Sequence, residues 1–243
     1  WVRPGHDSAF GYAGYREDAG LLDLYACSLG WRLAIVLECL EGHLSMAAKS
    51  QLRETIGRRV VRVNQNKLNG ITDPVPEGSL TPLYWLDQFD NWLSVCLSCV
   101  TGACLMLGDR QDAGLYIAVY EKYIRNYEKS LADGYCVEGL SYWGYGLSKT
   151  FSASYWISRF TKGGVDILSA SDVFQKAMNL GQDLRLSGKD YPSVADCCYG
   201  EQPDDFCMYF ADLWQGRESE VNLKDFYRYD LYILLTALNL EKK

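Results

Sequence analysis

The chain has 243 residues, 48% of them hydrophobic, which is enough to bury one large core and too apolar for a disordered segment. Its net charge of −7 repels nucleic acid, no Lys/Arg-rich run offsets that field, and an anionic ligand therefore needs a locally basic site. No apolar run reaches the ~18–20 residues of a membrane span; Leu21–Leu40 comes nearest but is interrupted by Asp23, Arg32 and Glu38.

In chain order, residues 1–18 read as an irregular lead-in in which His6 and Asp7 form a polar pair among Phe10, Tyr12 and Tyr15. Leu21–Leu40 is apolar nearly all round and predicts a buried helix, with Gly42 at its stop. Ser45–Leu68 predicts an amphipathic helix whose basic stripe (Lys49, Arg53, Arg58, Arg59, Arg62, Lys67) is a solvated face. Asn69-Gly70 ends it, and the proline-rich run from Thr72 to Pro82 is a loop. Asp90–Leu107 is a third helix, with Asp90 or Asn91 as N-cap and Gly108 as stop. Gln111–Leu131 is a fourth and Tyr142–Phe160 a fifth, closed by Lys162-Gly163-Gly164. Ser171 caps a sixth that runs to about Leu180. Gly188–Gln202 is a loop, and Asp204–Trp214 and Leu223–Leu240 are the last two helices.

No strand-like alternation stands out, so the fold class is all-α. The helices pair as antiparallel hairpins in a single domain over 1–243. No exact repeat favours a solenoid, and the long polar-aromatic loops between pairs suit an incomplete α/α toroid that gathers them around a cleft. The nine cysteines sit mostly in apolar helical surroundings. Cys96-x-x-Cys99 has zinc spacing, but no second such pair follows and the chain has only two histidines, so buried free thiols are expected and no metal or other cofactor. The neighbours Cys197 and Cys198 are expected to be unpaired.

The stretch from Asp133 to Gly146 is the least regular of the chain, with four glycines and four large aromatics in fourteen residues. Asp133-Gly134 is a turn signal. Glu138 and Tyr142 are four apart and Tyr142 and Tyr145 three apart, so a helix over this stretch puts the carboxylate and both phenols on one face. Such a face can form the wall of a carbohydrate site, and it can equally be aromatic core.

Two segments resemble the helical domain of the heparinase II/III-like polysaccharide lyases. One is Asp90-Asn91-Trp92-Leu93-Ser94-Val95-Cys96; the other is Asp133-Gly134…Glu138-Gly139…Tyr142-Trp143-Gly144-Tyr145-Gly146. Tyr191-Pro192-Ser193-Val194-Ala195-Asp196 looks like a third landmark of that family. The resemblance implies an incomplete α/α toroid, normally followed by a β-sandwich domain, and β-elimination on a uronic-acid-containing polysaccharide. It implies that Asn91 meets the substrate carboxylate and that Tyr142 is the catalytic phenol, with Tyr145 as the alternative. Beside them, Glu138 and Asp196 are candidates for holding the tyrosine or sugar hydroxyls, Trp92 and Trp143 for stacking on a sugar ring, and His6 for a missing family histidine. By resemblance alone the protein belongs to a bacterial periplasmic or secreted setting.

The chemistry stands without the family. Removing a proton alpha to a carboxylate piles negative charge beside an anion, and donors aimed at the carboxylate spread it. An Asn amide donates without titrating. A phenol whose pKa is lowered by a cation such as Lys149 or Arg159 can take the proton, and a phenol can return one to the leaving oxygen. Two departures are plain: where many relatives follow the Asn with His, this chain has Trp92, and the further His of the family's β-sandwich has no counterpart here. Two other readings remain. One is a glycoside hydrolase using paired carboxylates among Asp90, Asp133, Glu138 and Asp196. The other is a non-catalytic domain that binds an acidic oligosaccharide.

Overall fold

The computed structural model describes residues 22–62, 68, 84–108, 110–188, 190–222, 226 and 230–240. Among them the chain is helical, with no strand beyond a single bridge between Ser187 and Asp190. The principal helices are α1 (Leu24–Cys39), α2 (Met46–Ile56), α3 (Asn91–Leu107), α4 (Arg110–Tyr127), α5 (Leu140–Phe160), α6 (Asp172–Ala177), α7 (Leu180–Asp183), α8 (Asp205–Trp214) and α9 (Leu231–Leu240).

The starts expected at Asp90, Ser171 and Asp204 are found, and Asp23 and Ser45 act as caps as well, which moves the first helix start from Leu21 to Leu24. Asp23, Ser45, Asp90, Ser171 and Asp204 each accept a backbone N–H in the first turn of the helix that follows. Gly108 ends α3 in the left-handed conformation (φ 76°). The expected second helix is shorter: α2 passes into a π-helical turn over Gly57–Val61, and residues 63–67 lie outside the described ones. The expected sixth helix divides into α6 and α7, and the expected fourth ends at Tyr127 in two 3-10 turns. Exposed Arg53 and Arg62 reach Glu41 and Glu54 across the basic face of α2, which makes it a solvated stripe.

The core is organised around α3. Nearly every residue from Asn91 to Leu105 is buried, and its surface is cut from small side chains: Ser94, Cys96, Ser98, Cys99, Gly102, Ala103. Small side chains allow neighbouring helices to approach closely. A Cβ on Gly102 would lie 2.1 Å from the Trp31 indole of α1, and one on Gly146 of α5 would lie 2.1 Å from the Tyr127 hydroxyl of α4. Two of the serine hydroxyls in this packing find partners on the neighbouring helices. Ser94 Oγ donates to Gly146 O (2.6 Å) and lies 2.7 Å from Thr150 Oγ1, while Ser98 Oγ lies 3.1 Å from the Tyr120 hydroxyl.

Contact register gives the helix directions. Cys27 meets Cys96 and Trp31 meets Gly102, so α1 and α3 run the same way. Asn91 lies against Gly146 and Ser94 against Thr150, so α5 is parallel to α3. Gly144 meets Asp204 and Phe151 stacks on Phe210, so α8 follows α5. Lys149 meets Tyr232 and Trp156 Nε1 donates to Thr236, so α9 does too. Between them α4 returns antiparallel, pairing Tyr120 with Ser98 and placing Tyr116 by Cys104. The parallel helices therefore open at one shared end of the molecule, where Asp23, Asp90, Glu138 and Asp204 are found.

None of the nine cysteines is paired, and Cys27, Cys96, Cys99, Cys104, Cys136 and Cys207 are buried. No group of metal-ligating side chains forms among the described residues. No described helix is long and apolar enough to cross a membrane.

Gly102→Ala should cost ~1–3 kcal/mol, because the Trp31 ring has no room to give; urea unfolding checks it. Alkaline pH gives a second expectation. Burial pushes the Cys136 thiol up to about 11 and the Tyr120 phenol up to about 12, and it raises Cys96, Tyr116, Tyr127 and Tyr232 as well. Below their unfolded values, ~8.5 for thiols and ~10 for phenols, these groups are neutral in both states and the fold keeps its full stability. Above those values the unfolded chain releases protons first, so stability falls as pH climbs toward the folded values. Thermal midpoints should drop from about pH 9 upward, and the phenolate absorbance of the buried tyrosines, over and above that of exposed ones such as Tyr199, should appear together with loss of helix.

Candidate functional site

Glu138 joins the two motif segments. It lies just before α5, and its carboxylate reaches the start of α3: Oε1 accepts from Asn91 Nδ2 (2.7 Å) and Oε2 from the Asn91 backbone N–H (3.3 Å). The adjoining Asp90 Oδ1 accepts from Trp92 N–H at 2.9 Å. Two carboxylates thus sit on free N–H groups at a helix N-terminus, where the dipole favours negative charge. This geometry corrects one expectation. Gly139 is non-helical (φ 95°) and α5 begins only at Leu140, so Glu138 does not share a helical face with Tyr142 and Tyr145. It turns toward α3 instead.

The third landmark closes on the same point. The Asp196 N–H donates to Glu138 O (3.3 Å), and Cys197 Sγ accepts from Leu140 N–H (2.7 Å) and Ser141 N–H (3.4 Å) at the start of α5. A Cβ on Gly139 would lie 2.7 Å from both Cys197 Sγ and Val194 O, so only glycine admits this loop so closely. The Asp196 side chain itself is exposed.

The aromatic candidates divide. Trp143 is fully buried and its indole donates to Ala177 O at 2.8 Å, so it is a core residue and its ring has no open face for a sugar. Trp92 is half-buried and packs against the core. Tyr142 is also half-buried, one turn into α5. Tyr145 stands at the surface, 37% exposed, with the Lys149 ammonium 4.8 Å from its ring centre. Burial nonetheless pushes the Tyr145 phenol above its ordinary value, so it holds its proton throughout the neutral range. Asn91 is buried at 3% exposure, with its amide committed to Glu138. His6 lies outside the described residues.

Three groups here were not legible beforehand. Tyr127, on α4, places its hydroxyl against Gly146 close to Asn91, buried and without a hydrogen-bond partner among the described residues. Burial raises its phenol well above the ordinary value, and the Cys136 and Glu138 charges add to the shift. Arg32 of α1 and Asp230 before α9 form an ion pair, and Lys149 Nζ lies 3.9 Å from the same Asp230. Neither Arg32 nor Asp230 falls in a motif, and only the packing of α9 against α1 and α5 brings them together. A separate open cavity of about 980 Å³ lies by the C-terminal end of α8, lined by residues that include Tyr209, Trp214, Arg217 and Asn222. It is at the opposite end of α8 from Asp204, and no motif residue lines it.

No family model matches the chain, and no curated protein matches it.

Removing the Glu138 carboxylate by Glu138→Ala should cost ~1–3 kcal/mol, since it strips charged bonds from a nearly buried helix end. Asn91→Ala should then add much less than it costs in the wild-type chain. Additive losses in a double-mutant cycle would show that the two side chains do not act as a pair.

Proposed function

We propose that this chain is the helical domain of a polysaccharide lyase, an incomplete α/α toroid that acts by β-elimination on a glycan containing uronic acid. The observation that carries the reading is the meeting at Glu138 of three segments far apart in sequence: Asn91, the Glu138–Tyr145 stretch, and the Tyr191–Asp196 loop. The common direction of α1, α3, α5, α8 and α9, with α4 antiparallel between α3 and α5, supports the toroid reading, in which such loops border the cleft.

On this reading the work falls to the phenols of α5. One takes the proton alpha to the uronate carboxylate, the electron pair forms the new double bond, and the bond to the glycosidic oxygen breaks. A phenol then protonates that oxygen. Tyr145, held protonated by its surroundings, suits the donating end. Tyr142, its neighbour on the same helix face, is the proposed base. Asn91 is tied to Glu138, so we assign it the task of holding α3 and α5 in register rather than meeting the substrate. The hydrolase reading draws less support, because Asp90 is a helix cap and Glu138 is bound to Asn91. A binding-only domain is the second reading, favoured by the protonated state of Tyr145 and by Trp92 in place of a histidine.

Incubation with pectate, alginate and heparan-type polymers should yield the ultraviolet absorbance of an unsaturated uronate. Tyr142→Phe and Tyr145→Phe should each slow it by ~10²-fold or more. Full activity in both variants would remove the phenols from the mechanism. Turnover that needs the Tyr145 proton should persist through neutral pH and fall only above the ordinary phenol range of ~10. Calorimetric binding of a uronate oligomer without any absorbance change would favour the binding domain.

A further inference from the structure

Asp230 sits in surroundings that resemble a ligand site more than a structural ion pair. Its carboxylate accepts from the Tyr232 hydroxyl (2.5 Å), pairs with Arg32, and has Lys149 Nζ at 3.9 Å. Two cations and a phenol therefore converge on one acid group. The Lys149 side chain is only 8% exposed, and its ammonium lies between two aromatic rings, 4.8 Å from the centre of Tyr145 and 5.7 Å from that of Tyr232. Tyr232 in turn stacks on Trp31 at 4.3 Å, nearly parallel, which makes an apolar wall.

The donors outnumber what Asp230 uses. Among the described residues, Arg32 Nε is buried with no hydrogen-bond partner, and Lys149 makes one hydrogen bond, to Ser148 Oγ at 3.1 Å, while its contact with Asp230 is longer than one. The other carboxyl near Lys149 is that of Asp204, whose pKa burial raises. Tyr145, at the rim, is the part of the cluster most open to solvent. In a chain of net charge −7, this cationic cluster is local basicity of the kind that an anionic ligand needs.

We propose that Arg32, Lys149 and the Tyr145 ring form a carboxylate subsite for a uronate, and that Asp230 occupies it as an internal stand-in for the ligand's acid group. The inference rests on the uronate reading above and adds the subsite to it. A uronate enters by exchanging its carboxylate for that of Asp230, with the sugar ring lying toward Tyr145. The resting chain then binds weakly, because each ligand must displace a tethered carboxylate.

The test is thermal unfolding with sodium glucuronate at constant ionic strength, with glucose as neutral control. Asp230→Asn leaves two cations unpaired, and glucuronate should raise its midpoint by a few degrees (~3 °C) while moving the wild-type chain little. Adding Arg32→Gln to Asp230→Asn should remove the shift. Equal shifts in wild-type and variant chains, an equal shift with glucose, or a shift that survives loss of Arg32 would each overturn the proposal. If Asp230→Asn does not fold, Tyr232→Phe loosens Asp230 while keeping every charge. Its affinity for glucuronate, by calorimetry, should then rise several-fold, and an unchanged affinity overturns the idea. Failure here with elimination still seen on a uronan removes the subsite alone. Glucuronate binding without elimination on any uronan removes the lyase and keeps the subsite.

Discussion

Nearly the whole of α3 is buried, and the small side chains on the faces that meet α1 and α5 set the constraint for the fold. Its serines, cysteines and Gly102 bring α1 and α5 near enough for side chains to interlock, and the Ser94 and Ser98 hydroxyls find partners across the seams. Close contact fixes register as well as distance. Trp31 has one glycine to lie on and Ser94 one carbonyl to reach, so sliding any of these helices by a turn would lose both packing and hydrogen bonds.

From that register the shared end of the helices follows. Parallel neighbours place their N-termini together, and the partial positive charge there is met by Asp23, Asp90, Glu138 and Asp204. Most of these carboxylates are local caps. Glu138 differs because it caps a helix it does not belong to, and this long-range cap converts two helix starts and one loop into a single assembly. The acidic groups at this end thus each hold a helix start, while Lys149 and the phenol of Tyr145 lie further along α5.

The two phenols of α5 illustrate how environment separates like residues. Tyr142 and Tyr145 are one helical turn apart, yet Tyr145 is the more exposed and has the Lys149 ammonium over its ring. A cation over a ring face attracts the ring's electrons, but burial acts on the hydroxyl and keeps it protonated. Desolvation wins that contest at Tyr145, so the nearby lysine does not make it a base. The same lysine, buried between Tyr145 and Tyr232 and close to Asp230, has several partners rather than one.

How much was legible depends on the range of the force involved. Helix starts at Asp90, Ser171 and Asp204, the stop at Gly108 and the Asp133-Gly134 turn are local events, set by side chains bonding to their own backbone or by glycine's access to positive φ, and the residues alone declare them. The nearness of Asn91 to the Glu138 stretch was legible only as a motif pair, and its physical form, a carboxylate on a foreign helix end, was not. Trp143 as core and Tyr145 as rim could not be told apart, since both are aromatic and two residues apart, and only the placement of α6 behind α5 covers one of them. By itself the sequence determined the all-helical class, most helix boundaries and the irregular turn that precedes α5. The tertiary structure alone decided which side chains are buried, that Glu138 serves α3, and that Arg32, Lys149 and Asp230 meet, because burial and long-range charge pairing depend on which helices pack together, and nothing local in the chain encodes that.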